Sequence, residues 1–307
     1  MDLFLPTFII VACMVGMMIP GFIVGKCKLL ESNNKTLPAL LLYVAQPFMI
    51  VMVFTEKEYF PEMLGNILWM LLFSAVVMIV VLAIAFFLFR IKGPTDDKKM
   101  LTVSSVFSNS GFLGIPILRA MFPGTPAALY CAVFVVVFNI LIWTVGAYIM
   151  SGEKKYVTFK KAFLNPPTIA LVVALPLFFF NVQFNEHLAN SIALLGGMVT
   201  PLAMIIVGLR LSSMKFKEVF AGWWLWICNV FKLFAAPLIT FLIVFWLPID
   251  AMVKTALVVI MAMPCSTLPL VIAEVIGRDG TPSVRAQLTS TILCILTIPL
   301  IVLITGI

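Results

Sequence analysis

Apolar residues in this chain neither recur every third or fourth position nor alternate. They run in blocks of about twenty, parted by short polar clusters. Ten such blocks lie near 4–24, 37–55, 65–89, 99–121, 127–150, 167–183, 189–210, 219–247, 252–276 and 285–305. A block of that length spans the hydrocarbon of a bilayer as a helix, which pairs its backbone groups internally. The pattern predicts an all-α polytopic membrane protein of ten transmembrane helices. No stretch between blocks is longer than about 20 residues, so no soluble domain is expected.

Composition agrees. Of 307 residues, 63% are hydrophobic and 11% charged, with a mean hydropathy of +1.17. That excludes an ordinary soluble fold. The net charge of +7 does not point to nucleic acid, because the cations sit in the short loops and alternate in side. Odd-numbered loops carry Lys26, Lys28, Lys35, Arg90, Lys92, Lys98, Lys99, Lys154, Lys155, Lys160, Lys161, Arg210, Lys215, Lys217, Arg278 and Arg285. Even-numbered loops carry only Lys57 and Lys254. Positive charge marks the cytoplasmic side, so both termini are expected outside. Asp2 stands where a signal peptide has its basic region, so the first block reads as a retained helix. The expected location is the bacterial cytoplasmic (inner) membrane, crossed many times. The six cysteines lack metal-ligand spacing and read as apolar filling. No cofactor is expected.

The halves resemble each other at an offset of about 153–156 residues. MMIPGF (17–22) falls opposite VALPLF (173–178), and YVAQPFMIVMV (43–53) opposite GMVTPLAMIIV (197–207). LGIPIL (113–118) falls opposite STLPLV (266–271), and GTP at 124–126 recurs at 280–282. Five spans per half place the second half upside down. The expected organisation is an inverted repeat, residues 1–150 and 151–307, as secondary transporters use.

Two blocks carry helix breakers at equivalent repeat positions. Span four contains SNSGFLGIP, with Asn109, Ser110, Gly111, Gly114 and Pro116. Span nine contains PCSTLP, with Pro264, Cys265, Ser266, Thr267 and Pro269. Proline removes a backbone donor, and each glycine costs a helix about 1 kcal/mol. A break inside the membrane is tolerated where it is buried in protein or lines a wet cavity. Each break also makes a half-helix N-terminus carrying about half a positive charge, which suits a carboxylate. These residues are the candidate substrate site. Asn109 either binds substrate or caps the broken backbone. Asn139 and Trp143 on span five either line the pocket or pack.

Charges inside spans are the remaining candidates. Lys232, mid-span in helix eight, either neutralises half-helix C-termini, meets substrate or a titrating partner, or snorkels. Arg119 lies one turn past Pro116, at the outer interface or near the site. Glu274 lies near the cytoplasmic end of span nine, as an interfacial residue or a coupling group. No carboxylate flanks either break in sequence, which argues against obligatory sodium coupling.

The ordered set of N-x6-P ending in GIP (109–116), P-x4-P continuing LVIAE (264–274), YVAQP, TPLAMIIVGLRLS and K-x4-P (232–237) resembles the auxin efflux carrier family over the whole chain. That resemblance implies spans 1, 2, 6 and 7 as a scaffold, and spans 3–5 and 8–10 as a transport unit moving in elevator fashion. It implies that spans four and nine cross at their breaks, with Asn109 on the substrate carboxylate. The chain departs from the plant carriers in a loop of about 16 residues between spans five and six. Cys265 also stands where the plant carriers have glutamine. Malonate- or malate-like acids, substrates of bacterial relatives, are therefore expected rather than auxin.

The leading expectation is a secondary carrier of small mono- or dicarboxylates working in efflux. The alternatives are a cation-coupled symporter or antiporter of the bile-acid type, and a sensor built on the carrier fold. The chain has no HExxH, no GxSxG and no paired intramembrane aspartates, so no enzyme is expected. The expected partners are the organic anion and the lipid bilayer, and the scaffold helices are the candidate surface for a homodimer.

Overall fold

In the membrane every backbone donor and acceptor must be paired within the protein, and a computed structural model answers that demand with helix almost throughout. It describes residues 3–31, 36–91 and 93–306; Asp2, Lys35 and Lys92 lie outside these. Among the described residues there is no strand, only one isolated β-bridge. Eight helical segments, some with internal turns, are long and apolar enough to span a bilayer: α1 (Phe4–Lys26), α2 (Thr36–Thr55), α3 (Pro61–Arg90), α5 (Ala127–Ser151), α6 (Lys154–Phe179, leaving helix at 157–158 and 164–165), α7 (Glu186–Ser212), α8 (Trp223–Phe245) and α10 (Thr281–Thr305). The other two blocks are broken. α4 comprises Asp96–Ser104 and, after an irregular stretch, Ser110–Met121; α9 comprises Ala251–Ala262 and Leu268–Val275. Eight of the ten apolar blocks thus correspond to spanning segments, and the other two leave helix halfway.

The helix surfaces carry the signature of lipid rather than water. α3 buries Ile67, Met70, Ser74, Val77, Val81, Ala85 and Phe89 along one stripe, while Leu68, Leu72, Ile79 and Phe87 face outward. An exposed apolar face of that extent is ordinary against acyl chains and costly in water. Helix starts use the expected caps: Thr95 Oγ1 accepts from Lys98 N, Asn185 Oδ1 from Leu188 N and Asp250 Oδ1 from Met252 N. Asp279, before α10, accepts from Thr281 N and Oγ1, which holds its carboxyl below the usual range.

Proline leaves a mark with a regular offset. Pro47, Pro116 and Pro237 each follow a five-residue π-turn by two residues, at Leu41–Ala45, Ser110–Gly114 and Phe231–Ala235. Widening the helix there gives the carbonyl four residues before the ring room to clear it. Prolines that fall opposite each other when the halves are aligned in sequence are not treated alike: Pro176 lies inside the helix Pro166–Phe179, whereas Pro20 follows a turn at Met17.

Packing is densest in two sets of helices, which meet where the first part of α1 lies along α10 and where α5 touches α2 and α6. α1 lies closely along α7, and α2 along both α6 and α7. Glycines permit the first contact: Gly21 faces the Ile205 carbonyl, Gly208 the Met18 carbonyl and Gly25 the Ser212 side chain. Helices α3–α5 and α8–α10 pack among themselves, with α3 on α5, α8 on the first half of α9 and α10 on the first half of α4.

Candidate functional site: the crossing of two broken helices

The breaks in α4 and α9 meet, and each supplies what the other lacks. Asn109 N donates to Pro264 O at 2.8 Å, and Ser266 N donates to Phe107 O at 2.9 Å, forming an antiparallel bridge between Ser108 and Cys265. Cys265 N donates to Ser290 Oγ of α10 at 2.9 Å. Backbone groups released by the breaks are thereby paired in a region sealed from solvent; Val106, Phe107, Ser108 and Cys265 are fully buried. The helix interruption in α4 falls at Ser105–Asn109, upstream of the glycines and proline. Pro116 lies past the π-turn inside the second half of α4, whereas Pro269 sits in the first turn of the second half of α9, where a missing N–H costs little.

Behind the crossing lies Lys232, fully buried on α8. Its Nζ donates to Ser108 Oγ at 2.6 Å, to Met261 O at 2.9 Å and to Val106 O at 3.4 Å. Met261 belongs to the last turn of the first half of α9, and Val106 follows the first half of α4. Each half-helix C-terminus carries about half a negative charge, so one ammonium balances the two.

In front of the crossing is a cavity of about 330 Å³. Asn109, Ser110 and Gly111 line it from α4, Ser266 and Thr267 from α9, and Asn139 and Trp143 from α5. The second halves of α4 and α9 both begin on this cavity. In α9 the first-turn donors are satisfied, Leu268 N by Ser266 Oγ and Leu270 N by Thr267 O, and Pro269 has none; in α4 Ser110 N donates to Ser108 O, and the N–H groups of Gly111 and Phe112 have no partner among the described residues. Asn109 is 3% exposed, and its side chain makes no capping hydrogen bond. Gly111 lets the Gln46 amide approach the backbone: a Cβ there would push the end of the Gln46 side chain aside.

Not every expected site residue lines this cavity. Gly114 packs on Cys131 of α5, where a Cβ would sit 3.1 Å from the sulfur. Pro264 and Cys265 act through backbone at the bridge. Arg119 is exposed at the far end of α4, where its Nη2 donates to Glu56 Oε1 of α2 at 2.7 Å beside a separate cavity of about 240 Å³. Glu274 is exposed near the end of α9. Cys131, Cys228, Cys265 and Cys294 are buried, whereas Cys13 and Cys27 are exposed, so filling describes four of the six.

Several lining residues escaped the sequence reading. Gln46 of α2 lines the cavity with Oε1 buried and unpartnered, as is Ser110 Oγ. Lys161 stands over the Trp143 ring at 4.9 Å, and Asn165 Oδ1 accepts from Asn139 Nδ2 at 3.5 Å. Gln287 of α10 donates to Thr267 Oγ1 at 2.6 Å and accepts from Arg210 Nη1 at 3.0 Å. Gln46 lies within YVAQP, but an amide beside a proline in an apolar block carries no mark of facing a cavity.

A family model described as membrane transport protein matches residues 6–160 and 155–302 of the chain. The chain is also 26% identical over 260 residues to an uncharacterized transporter of Methanocaldococcus jannaschii, a match covering 81% of this chain and 82% of that relative.

Proposed function

As the chain belongs to the membrane transport protein family, which includes the auxin efflux carriers, we propose that it is a secondary carrier of small organic anions. The substrate carboxylate is held at the crossing of α4 and α9. One observation carries this reading: the open start of the second half of α4, the Asn109 amide that makes no capping bond and the unpartnered Gln46 and Ser110 oxygens converge on one cavity. The α4 helix start and the amide and hydroxyl donors suit a carboxylate. Gln46 Oε1 accepts, so a hydroxyl on the substrate satisfies it. Malate-like acids therefore fit this lining well.

The reading includes an inverted repeat of five helices and five. Its support is reciprocal packing: α1 on α7 is answered by α6 on α2, and α5 on the first half of α9 by α10 on the first half of α4. α1, α2, α6 and α7 form the scaffold, and the remaining helices move as a unit carrying the crossing. The cavity reaches Lys161 and Asn165, on the side the loop charges assign to the cytoplasm. At the other side the Arg119–Glu56 pair ties the moving unit to α2. The state described is loaded from the cytoplasm, as export requires. In intact cells, a thiol reagent applied outside should label cysteines engineered in the 57–62 loop and spare those at Lys154 or Lys215. Labelling at Lys154 would overturn the orientation and the inversion with it.

The substrate assignment is tested by thermal stabilisation of purified protein with a panel of mono-, di- and hydroxycarboxylates. Asn109→Ala should leave a folded protein that binds the stabilising acid more weakly, by about 1–3 kcal/mol for a lost hydrogen bond to a charged group. Undiminished affinity would place the carboxylate elsewhere.

A further inference from the structure

We propose that a second pocket, at the starts of α4, α8 and α10, holds the phosphodiester of a phospholipid headgroup. This pocket of about 400 Å³ is lined by Lys98, Trp223, Trp224 and Arg285, with Asp97 at its edge. It shares no lining residue with the substrate cavity.

The primary observation is Arg285. Its Nε and Nη2 are buried and have no hydrogen-bond partner among the described residues. A guanidinium with sealed, unsatisfied donors is costly and is ordinarily paired. The missing partner is an acceptor, and an anion removes the charge penalty as well. A planar guanidinium fork matches two oxygens of a phosphate.

A second group of donors adjoins it. α8 begins after Gly222, which has φ +105° and supplies no side-chain cap. A Cβ at Gly222 would lie 3.8 Å from Arg285 Nη2, so the orphaned guanidinium lies against the open helix start. The starts of α4 and α10 are already capped, by Thr95 and Asp279. Only the α8 start, of these three, leaves its first-turn N–H groups without a side-chain acceptor.

Charge selects among anions. Lys98 Nζ is held by the carbonyls of Ile91 and Gly93 and stands 4.2 Å over the Trp224 ring. Lys98 and Arg285 against Asp97 leave one net positive charge, which a monoanionic phosphodiester balances. Place selects the source. Trp223, at the rim, is 75% exposed, and Trp226 a turn further on is 39% exposed. Exposed tryptophans flank a bilayer at headgroup level, and the loop charges put these helix starts at the cytoplasmic leaflet.

The test compares delipidated wild-type protein with Arg285→Gln by native mass spectrometry and thermal stability, adding phosphatidylglycerol in one arm and inorganic phosphate in another. Wild type should retain a single tightly bound phosphatidylglycerol, and Arg285→Gln should bind it about tenfold more weakly. Arg285→Lys keeps the charge, loses the fork and should fall between; it decides the matter if Arg285→Gln does not fold. Equal lipid retention by wild type and variant overturns the proposal. Stabilisation by inorganic phosphate that matches the lipid and disappears in the variant overturns the lipid source and makes this a site for free phosphate.

Discussion

Lys232→Met will abolish transport and markedly lower thermal stability, although methionine keeps most of the apolar stem. The lysine is fully buried on α8, yet its three acceptors belong to the two broken helices. Removing the ammonium leaves the Met261 and Val106 carbonyls and the Ser108 hydroxyl without their donor, where water cannot replace it. Hydrogen bonds to a charged group are worth roughly 1.5–3 kcal/mol each, so two short ones imply on the order of 3–6 kcal/mol. That is a large share of the roughly 5–15 kcal/mol that holds a domain together. It also leaves two half-helix C-termini facing each other without a counter-charge. Ser108→Ala removes one acceptor and should cost about 1 kcal/mol, leaving measurable transport. Normal transport by Lys232→Met would show that the crossing does not depend on this charge.

Lys232 also shows how far the sequence could be read. A lysine in the middle of an apolar block is visible as an anomaly. What it neutralises is not, because its partners lie far away in sequence: Ser108 on α4 and Met261 on α9. The two breaks were legible as clusters of glycine, proline and small polar residues. Their position was less so. Propensity points to Gly114 and Pro116, whereas the chain leaves helix at Ser105–Asn109, residues that tolerate helix well enough. The break is held there by backbone bonds from Asn109 to Pro264 and from Ser266 to Phe107, and such bonds leave no trace in side-chain identity.

The alternation of loop cations needed only counting, and the family motifs pointed to Asn109 and to the crossing. They did not point to Lys161, which read as one of many loop cations and stands beside Trp143 on the cavity. Nor did aligned prolines mean equal distortions. Pro47 follows a π-turn, whereas Pro201, which aligns with it in sequence, follows a plain turn at Met198.

A second large effect follows from charge alone. Moving one elementary charge through 100 mV is worth about 2.3 kcal/mol, which corresponds to roughly a fifty-fold concentration ratio at equilibrium. A cytoplasm-negative membrane therefore expels a monovalent carboxylate without any coupling ion, and a dianion more strongly. In the elevator motion we propose, Lys232 would move with the crossing on the loaded stroke and return on the empty one, so the net charge per cycle would be that of the substrate. The charge lining the cavity is that of Lys161, which favours the anion's entry from the cytoplasmic side.

Flux in proteoliposomes made from the purified protein tests the central claim most directly. Vesicles are loaded with the acid that stabilises the protein, and a potential is imposed with potassium and valinomycin in sodium-free buffer of equal pH on both sides. The anion should leave faster as the interior is made more negative, approach a ratio of about fifty per 100 mV for a monoanion, and be retained when the potential is reversed. Flux that ignores the potential and requires a proton or sodium gradient would contradict the uniport account and assign the protein to the cation-coupled carriers. No flux of any carboxylate that binds would contradict the carrier reading itself.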